Sequence, residues 1–341
     1  MIIRILITLM VITPPAALAG WYEVDTALMG TEVHISVWHQ DNQHARVVVE
    51  DAIAEMRRIN DLMSTYESSS ELSLLNREAS RQATVVSEEL VGLINRSLEI
   101  SKSTRGAFDV TYASVGYLYD YRNGTKPEKK RIQAQLPAVN FEHVVVDTQA
   151  NTVTYSHPDV RVDLGGIAKG YAVDRSIEII KQHGIEHAIV TAGGDTRVLG
   201  KKLDRPWVVG IQNPRSETEV VALIPLVDES ISTSGDYERY FDEQGIRYHH
   251  IIDPKTGDSA REVRSVSILG QESTYADALS TSLFVLGLES GMQLINTIHG
   301  YEAILVDQEG RLHYSNGLQQ FAKQDHQRKA LTGNVSQLAN P

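Results

Sequence analysis

The chain has 341 residues, 42% of them hydrophobic and 22% charged, which is the composition of a globular protein. Its formal net charge of -12 and pI near 5.5 argue against a nucleic-acid-binding or anionic-membrane surface, because both need clusters of Lys and Arg. There is no cysteine, which excludes disulfides and a cysteine-borne lipid anchor.

Residues 1–19 predict a secretory signal peptide. Arg4 precedes the apolar run ILITLMVI, which ends at two prolines, and the small-residue site Ala17-Leu18-Ala19 follows. The alternative, an uncleaved anchor, is disfavoured because the run is too short to span a bilayer, and no later segment approaches the roughly 20 apolar residues of a membrane helix. We therefore expect cleavage after Ala19 and a soluble periplasmic protein.

The first half of the chain predicts one strand and two long helices. TEVHISVW alternates apolar and polar residues, as in a half-buried strand. Helical patterns follow from 45 to 63 and, with Ser87 as N-cap, from 87 to 103. The polar stretch MSTYESSSELSLLNR between them is predicted as a turn-rich loop, and the lysine-rich segment 123–131 as a solvated linker.

The second half alternates strands with helices. VDLGGIAKGYAVDRSIEIIKQHG predicts a strand, a glycine turn and a helix that ends at Gly184. The pattern also predicts a hairpin around YHHIIDPKTG, a hairpin in YEAILVDQEGRLHYS with Gly310 in its turn, and short strands at HAIVTAGGD, WVVGIQN, VVALIPLVD and VRSVSILG. This order predicts an α+β or α/β fold with mixed β-sheets flanked by helices, followed by a flexible tail at 323–341.

A helix over YADALSTSLFVLG (275–287) carries an unusual polar stripe. At about 100° per residue, Asp277, Ser280 and Thr281 lie on one side, opposite the leucines. Phe284 falls on the side of the acid, so the helix is apolar nearly all round and is predicted to be buried. A buried carboxylate needs a counter-charge, hydrogen-bond donors or a metal. The alternative is an amphipathic surface helix whose polar stripe faces water.

Two glycine turns and a histidine pair are further candidates for chemistry. DLGGIAKG (163–170) fits neither the Walker A pattern GxxxxGK[ST] nor the dinucleotide pattern GxGxxG. A phosphate-binding turn is therefore supported only by Lys169 at the start of the helix, and the alternative is a tight structural turn. TAGGD (191–195) is a second such turn. Adjacent strand residues face opposite sides, so at most one of His249 and His250 enters a given site. No HExxH or GxSxG occurs, which disfavours a zinc site and a serine nucleophile.

Taken in order, these segments resemble the ApbE family, the FAD:protein FMN transferases. The resemblance spans residues 29–287 and is carried by LMGTEVHISV, MSTYESSSELSLLN, GAFDVT, VDLGGIAKGYAVD, AGGD, VGIQNP, STSGDYERYF, HHIIDPKTG and YADALST. It implies one domain over residues 20–322 with the family's α/β arrangement of mixed sheets and helices. It also implies that the protein binds FAD and Mg²⁺, cleaves the pyrophosphate and attaches FMN through a phosphoester to a threonine of a partner protein, releasing AMP.

The resemblance also implies a set of site residues. The metal would be held by the side chains of Asp277 and Thr281 and by the backbone carbonyls of Ser280 and Gly166, all hard oxygen ligands. His250 is the candidate base for the acceptor hydroxyl, because the near-neutral pKa expected of a histidine suits that role, with Asp109 or Asp163 as alternatives. The residues that would contact FAD are Met29, Tyr66, Ala107, Phe108, Asp109, Asp163, Lys169 and Ile251.

Two other functions compete with this interpretation. A metal-dependent FAD pyrophosphatase would use water in place of threonine and give free FMN and AMP, and a carrier would bind FAD without cleaving it. For a transferase, the resemblance implies that the acceptors are extracytoplasmic flavoprotein subunits of redox-driven ion pumps or reductases.

The implied ligand roles predict different effects for two substitutions on the same helix. Asp277→Ala should abolish metal-dependent turnover of FAD, because it removes the charged ligand. Ser280→Ala should be tolerated, because only the backbone carbonyl is required there. Release of AMP from FAD with and without Mg²⁺ measures both effects; full activity of the Asp277 variant would show that the metal assignment is wrong.

Overall fold

The structure, a computed structural model, describes residues 20–319, so the predicted signal peptide (1–19) and tail (323–341) lie outside the described residues. The strands are β1 Gly20–Leu28, β2 Thr31–His39, β3 Thr84–Val85, β4 Val144–Asp147, β5 Thr152–Tyr155, β6 Ala188–Ala192, β7 Asp195–Leu199, β8 Trp207–Asn213, β9 Ser216–Leu226, β10 Ser230–Gly235, β11 Tyr240–Glu243, β12 Ile246–His249, β13 Val263–Gly270, β14 Tyr301–Asp307 and β15 Leu312–Tyr314. The α-helices are α1 Asn42–Met63, α2 Glu71–Glu78, α3 Glu88–Ser103, α4 Ala113–Gly116, α5 Lys129–Gln135, α6 Ala168–Gln182 and α7 Ser273–Ile295.

An eight-stranded sheet organises the fold, in the order β1-β2-β6-β7-β10-β13-β14-β15. Smaller sheets are formed by β3-β5-β4, by the β8-β9 hairpin and by the β11-β12 hairpin. The predicted class, β-sheets flanked by helices, is confirmed; the sheets were predicted to be mixed, and the strand pairs within residues 20–319 are all antiparallel.

The two faces of the large sheet are covered differently, because side chains alternate along each strand. On β6, Ala188, Val190 and Ala192 join the core formed with α1 and α6. Ile189, which points the other way, packs in a second cluster with Trp207 of the β8-β9 hairpin. Helices thus cover one face of the sheet and a hairpin covers part of the other.

Several elements differ from the sequence predictions. The predicted loop at MSTYESSSELSLLNR contains helix α2, whose N-cap Ser70 accepts a hydrogen bond from the Ser73 N–H. Strand β1 was not predicted. No strand forms at VDL, because the backbone N–H and C=O of Val162 both bond to the amide side chain of Asn76. The Ser87 cap of α3, the end of α6 before Gly184 and the β14-β15 hairpin are confirmed.

Helix α7 is the central helix of the site. Its length and composition would allow it to cross a membrane, contrary to the prediction that no segment after the signal peptide is long and apolar enough. Half of its most apolar 18-residue segment, however, is buried inside the protein. It packs against β10, β13 and α6, so it is a core helix, as its nearly all-round apolar surface predicted. The carboxylate of Asp174 on α6 anchors its first turn, accepting from the N–H groups of Ser273 and Thr274 at 2.9 and 2.8 Å.

Contact between α6 and α7 depends on Gly170. A Cβ at this position would lie 2.3 Å from the Ser273 carbonyl oxygen and 2.9 Å from the Asp277 Cβ. No other residue type lets the two helices come this close.

Gly170→Ala should therefore destabilise the protein by about 1–3 kcal/mol through overpacking. Gly92→Ala in α3 is a matched control, because its Cβ would meet nothing within 4 Å; it should be neutral or stabilise by up to about 1 kcal/mol. Denaturant unfolding of both variants measures the difference. Equal stabilities would contradict the close-packing argument.

Candidate active site

Three charged side chains meet where α6, α7 and β7 converge. Lys169 Nζ lies 2.6 Å from Asp195 Oδ2 and 3.4 Å from each carboxylate oxygen of Asp277. Asp277 Oδ2 also accepts from the Gly170 N–H at 3.0 Å. Both carboxylates are almost completely buried, whereas the lysine side chain keeps 28% of its surface exposed. The lysine therefore bridges two buried acids and still reaches solvent.

In this cluster a single ammonium faces two carboxylates. Burial raises the pKa of Asp277, and the nearby charge of Asp195 raises it further, against the opposing effects of Lys169 and the Gly170 N–H. Burial alone would lower the pKa of Lys169, but the two carboxylates outweigh it and the pKa is raised. With both acids ionised, a single ammonium leaves one negative charge uncompensated. The cluster is therefore electrostatically suited to a further cation.

The structure brings the predicted metal residues together from distant parts of the chain. A Cβ on Gly166 would lie 3.3 Å from Thr281 Oγ1 and 3.3 Å from the Phe108 ring, so the glycine turn packs directly on α7 one turn after Asp277. Within residues 20–319 no three His, Cys, Asp or Glu side chains form a metal cage. The ligand set implied by the family resemblance, one carboxylate, one hydroxyl and two backbone carbonyls, would consist of oxygen atoms only, as Mg²⁺ prefers.

Serines of β10 support the helix stripe from the sheet. The Ser280 hydroxyl donates to the Asp277 carbonyl at 2.8 Å and lies 2.7 Å from Ser234 Oγ. The Ser232 hydroxyl donates a short hydrogen bond to Asp195. The side chain of Ser280 is thus engaged in the core, which is compatible with a ligand role for its backbone carbonyl only.

Asp163 ties the glycine turn to the segment that contains Tyr66. Its Oδ1 accepts from the Gly165 N–H at 2.7 Å, and its Oδ2 accepts from the Thr65 hydroxyl at 2.8 Å. Tyr66 itself is 86% exposed, which is unusual for an aromatic side chain. Met29 occupies the β1-β2 turn at φ 53°. Asp163 therefore orders this region, and Tyr66 presents an open ring face.

Other predicted FAD contacts are buried. The Asp109 carboxylate accepts from the Thr111 N–H and hydroxyl at 2.8 and 2.6 Å and from the Phe141 N–H at 2.8 Å, so both of its oxygens are occupied. Burial raises its pKa. Ala107 and Phe108 are also buried, and the side chain of Ile251 lies in the core around α7. Asp109 therefore has a structural role, which disfavours it as the alternative base.

The two adjacent histidines face different surroundings, as predicted. His249 is buried against Phe284, with Nε2 donating to the Ala260 carbonyl at 2.6 Å. His250 Nδ1 is buried and has no hydrogen-bond partner within residues 20–319. The near-neutral pKa expected for His250 is wrong, because burial and the neighbouring His249, Arg239 and Lys169 lower it to about 3. His250 is thus a neutral imidazole with a free buried nitrogen.

Asp195 is a site residue that was not predicted from the sequence. The turn TAGGD is visible there, but the pairing of Asp195 with Lys169 depends on β7 lying beside β10 and beneath α6. An acid directly after two glycines at a strand end was the available signal. The cavities of about 380 and 410 Å³ elsewhere in the described residues are lined by none of the predicted site residues.

Burial of His249 makes stability depend on pH. Burial lowers its pKa to about 4, from 6.5, so the unfolded chain binds more protons between these values. The stability is fully present above about pH 6.5 and is lost as the pH falls towards 4. We expect this residue to account for a loss of about 2 kcal/mol in unfolding free energy between pH 7 and pH 5.

Urea unfolding at both pH values measures this loss. His249→Gln removes the titrating group and should show a smaller decrease than the wild-type chain, whereas substitution of the exposed His299 by Gln should not alter the decrease. Identical pH dependence in all three proteins would refute the assignment.

The sequence of this chain is similar to those of known proteins. The sequence profile of the ApbE family matches residues 29–305. An FAD:protein FMN transferase of Vibrio cholerae is 34% identical over 275 residues, which cover 77% of this chain and 81% of the relative. One from Treponema pallidum is 31% identical over 310 residues, covering 85% and 86%.

Solved structures give the same result. The ApbE protein of Thermotoga maritima superposes with a TM-score of 0.82 at 35% identity, covering 89% of this chain and 99% of that one. The flavin transferase ApbE from Vibrio cholerae gives 0.78 at 29% identity, with 87% and 98% covered. The chain therefore belongs to the ApbE family.

Proposed function

We propose that this protein is a Mg²⁺-dependent FAD:protein FMN transferase, which transfers FMN from FAD to a threonine of a partner protein and releases AMP. The names of its relatives support the reaction class. The observation that carries the proposal is the unbalanced charge cluster of Lys169, Asp195 and Asp277, packed against the glycine turn at Gly166.

The cluster can bind the pyrophosphate of FAD. Lys169 is partly exposed and can contact a phosphate oxygen while Asp195 holds its ammonium in place. The Gly165-Gly166 turn precedes α6, and the positive end of the helix dipole favours an anion there, although the Ala168 and Gly170 N–H groups are bonded to Leu164 and Asp277. The open ring of Tyr66 offers a stacking surface for one of the two aromatic ends of FAD.

The oxygen atoms around Asp277 fit a magnesium ion. Asp277 and Thr281 would hold it by their side chains, and Ser280 and Gly166 by their carbonyls. A bound ion would neutralise the charge that develops on the phosphate oxygens. Since these residues would supply few ligands, the remaining coordination would be left to waters and substrate.

The transfer step follows from these positions. The threonine oxygen of the acceptor forms a bond to the FMN phosphorus, and the bond from that phosphorus to the bridging oxygen breaks, so AMP leaves. The threonine proton passes to the imidazole of His250. Its pKa of about 3 makes it a weak base in the protein alone, but the negative charge of a bound pyrophosphate raises the pKa of a nearby imidazole. Lys169 stabilises the charge on the departing phosphate.

We further propose that the reaction takes place in the periplasm, after removal of residues 1–19. The support is the apolar run and the Ala17-Leu18-Ala19 site in the sequence. The acceptor would then be an extracytoplasmic flavoprotein subunit of a redox pump or reductase.

A transfer assay separates this function from its alternatives. The protein is incubated with FAD, Mg²⁺ and individually expressed extracytoplasmic redox subunits, and intact-mass spectrometry reads the acceptor. We expect an added FMN mass on a threonine and an equal amount of AMP. Free FMN with an unmodified acceptor would indicate a pyrophosphatase, and intact FAD would indicate a carrier.

The role of His250 can be tested in the same assay. His250→Asn should lower kcat by about a hundredfold while the Kd for FAD stays within twofold, since general-base catalysis contributes on that order. His299→Asn, at an exposed position, is the matched control and should keep full activity. Unchanged kcat in the His250 variant would remove this residue from the mechanism.

A further inference from the structure

A groove lies on the face of the large sheet opposite the helices. Its volume is about 380 Å³, and it runs between the sheet and the β8 strand of the β8-β9 hairpin. The floor carries short uncharged side chains of β6, β7 and β10, namely Ile189, Thr191, Thr196, Ile231 and Thr233, and the β8 wall is formed by Val208 to Gly210 and Gln212. The groove is separate from the charge cluster, which lies on the helix side.

The wall of this groove is an unpaired strand edge. Strand β8 pairs only with β9 within residues 20–319, and Val208 lies opposite Pro225. Proline has no N–H, so this pair is of the non-hydrogen-bonded kind, and the flanking Trp207 and Val209 make the ladder bonds. The N–H and C=O groups of Val208 and Gly210 therefore point away from β9. Both residues line the groove.

One end of the groove meets the active site along two stretches of backbone. Gly193 and Gly194 line the groove, and the next residue, Asp195, pairs with Lys169. Glu238 also lines the groove, and the carbonyl of the following Arg239 accepts the backbone N–H of His250 at 3.1 Å. The groove thus leads to the position of the candidate base.

From this juxtaposition we propose that the groove binds the acceptor protein: an extended segment of the acceptor adds to the free edge of β8 as a further strand and places its threonine hydroxyl at His250. The inference rests on the proposed function, which requires a protein substrate. Main-chain bonds to Val208 and Gly210 provide affinity, as in other strand-addition complexes. The narrow threonine-lined floor accommodates small uncharged side chains, and Glu238 disfavours an acid beside the reactive threonine.

The edge can be tested without changing the active site. Val208→Pro removes the free N–H and leaves the β9 ladder intact, because proline is tolerated at an edge position. Val208→Thr keeps the N–H and is the matched control. With the acceptor identified by the transfer assay, we expect Val208→Pro to raise the acceptor KM by roughly tenfold, the effect of one lost hydrogen bond. The Thr variant should match the wild type, and the Kd for FAD should not change in either.

The outcomes separate the two proposals. No transfer by the unaltered enzyme would overturn the proposed function and the acceptor groove with it. Transfer with the same acceptor KM in all three proteins would overturn the groove alone.

A labelling experiment gives a second measurement that does not depend on proline. The natural chain has no cysteine, so Val208→Cys and Leu223→Cys each introduce a single thiol at positions that are 61% and 64% exposed. Leu223 lies opposite Gly210 on β9, across β8 from the groove. Excess acceptor should slow maleimide alkylation at position 208 more than at 223. Equal rates at both positions would contradict strand addition to β8.

Discussion

The site depends on the close contact between α6 and α7. Gly170 allows this contact, and Asp174 fixes the first turn of α7 with hydrogen bonds from its backbone. The contact buries the Asp277 carboxylate beside the ammonium of Lys169, and β7 adds Asp195 from below. Two acids and one base are thereby held in a space from which most water is excluded.

The same arrangement joins the two substrates of the proposed reaction. On the helix side of the sheet, the charge cluster and the glycine turn suit a metal and a pyrophosphate. On the other side, the groove along β8 suits an extended chain. The backbone that connects them is short: Gly194 precedes Asp195, and Arg239 contacts His250. Helices pack on one face of the sheet and a hairpin on the other, so the nucleotide and the protein acceptor would bind on opposite faces. They would meet at the end of the central strands β6 and β7.

Features with local causes could be predicted from the sequence. The stripe of Asp277 and Thr281 follows from helical periodicity, and the Ser87 cap follows from a serine before an acidic helix start. Features that depend on distant neighbours could not be predicted. The role of Asp195 requires the order of strands in the sheet, and the low pKa of His250 requires its burial. The missed helix α2 was obscured by polar residues, although its N-cap serine was visible.

The metal position tests the central claim most directly. Crystals of the protein with Mn²⁺ and FAD would give an anomalous peak that marks the ion. We predict a peak within about 2.0–2.6 Å of the Asp277 carboxylate, the Thr281 hydroxyl and the Gly166 carbonyl, with Lys169 still paired to Asp195. A peak elsewhere, with Asp277 bonded only to Lys169 and the Gly170 N–H, would contradict the account.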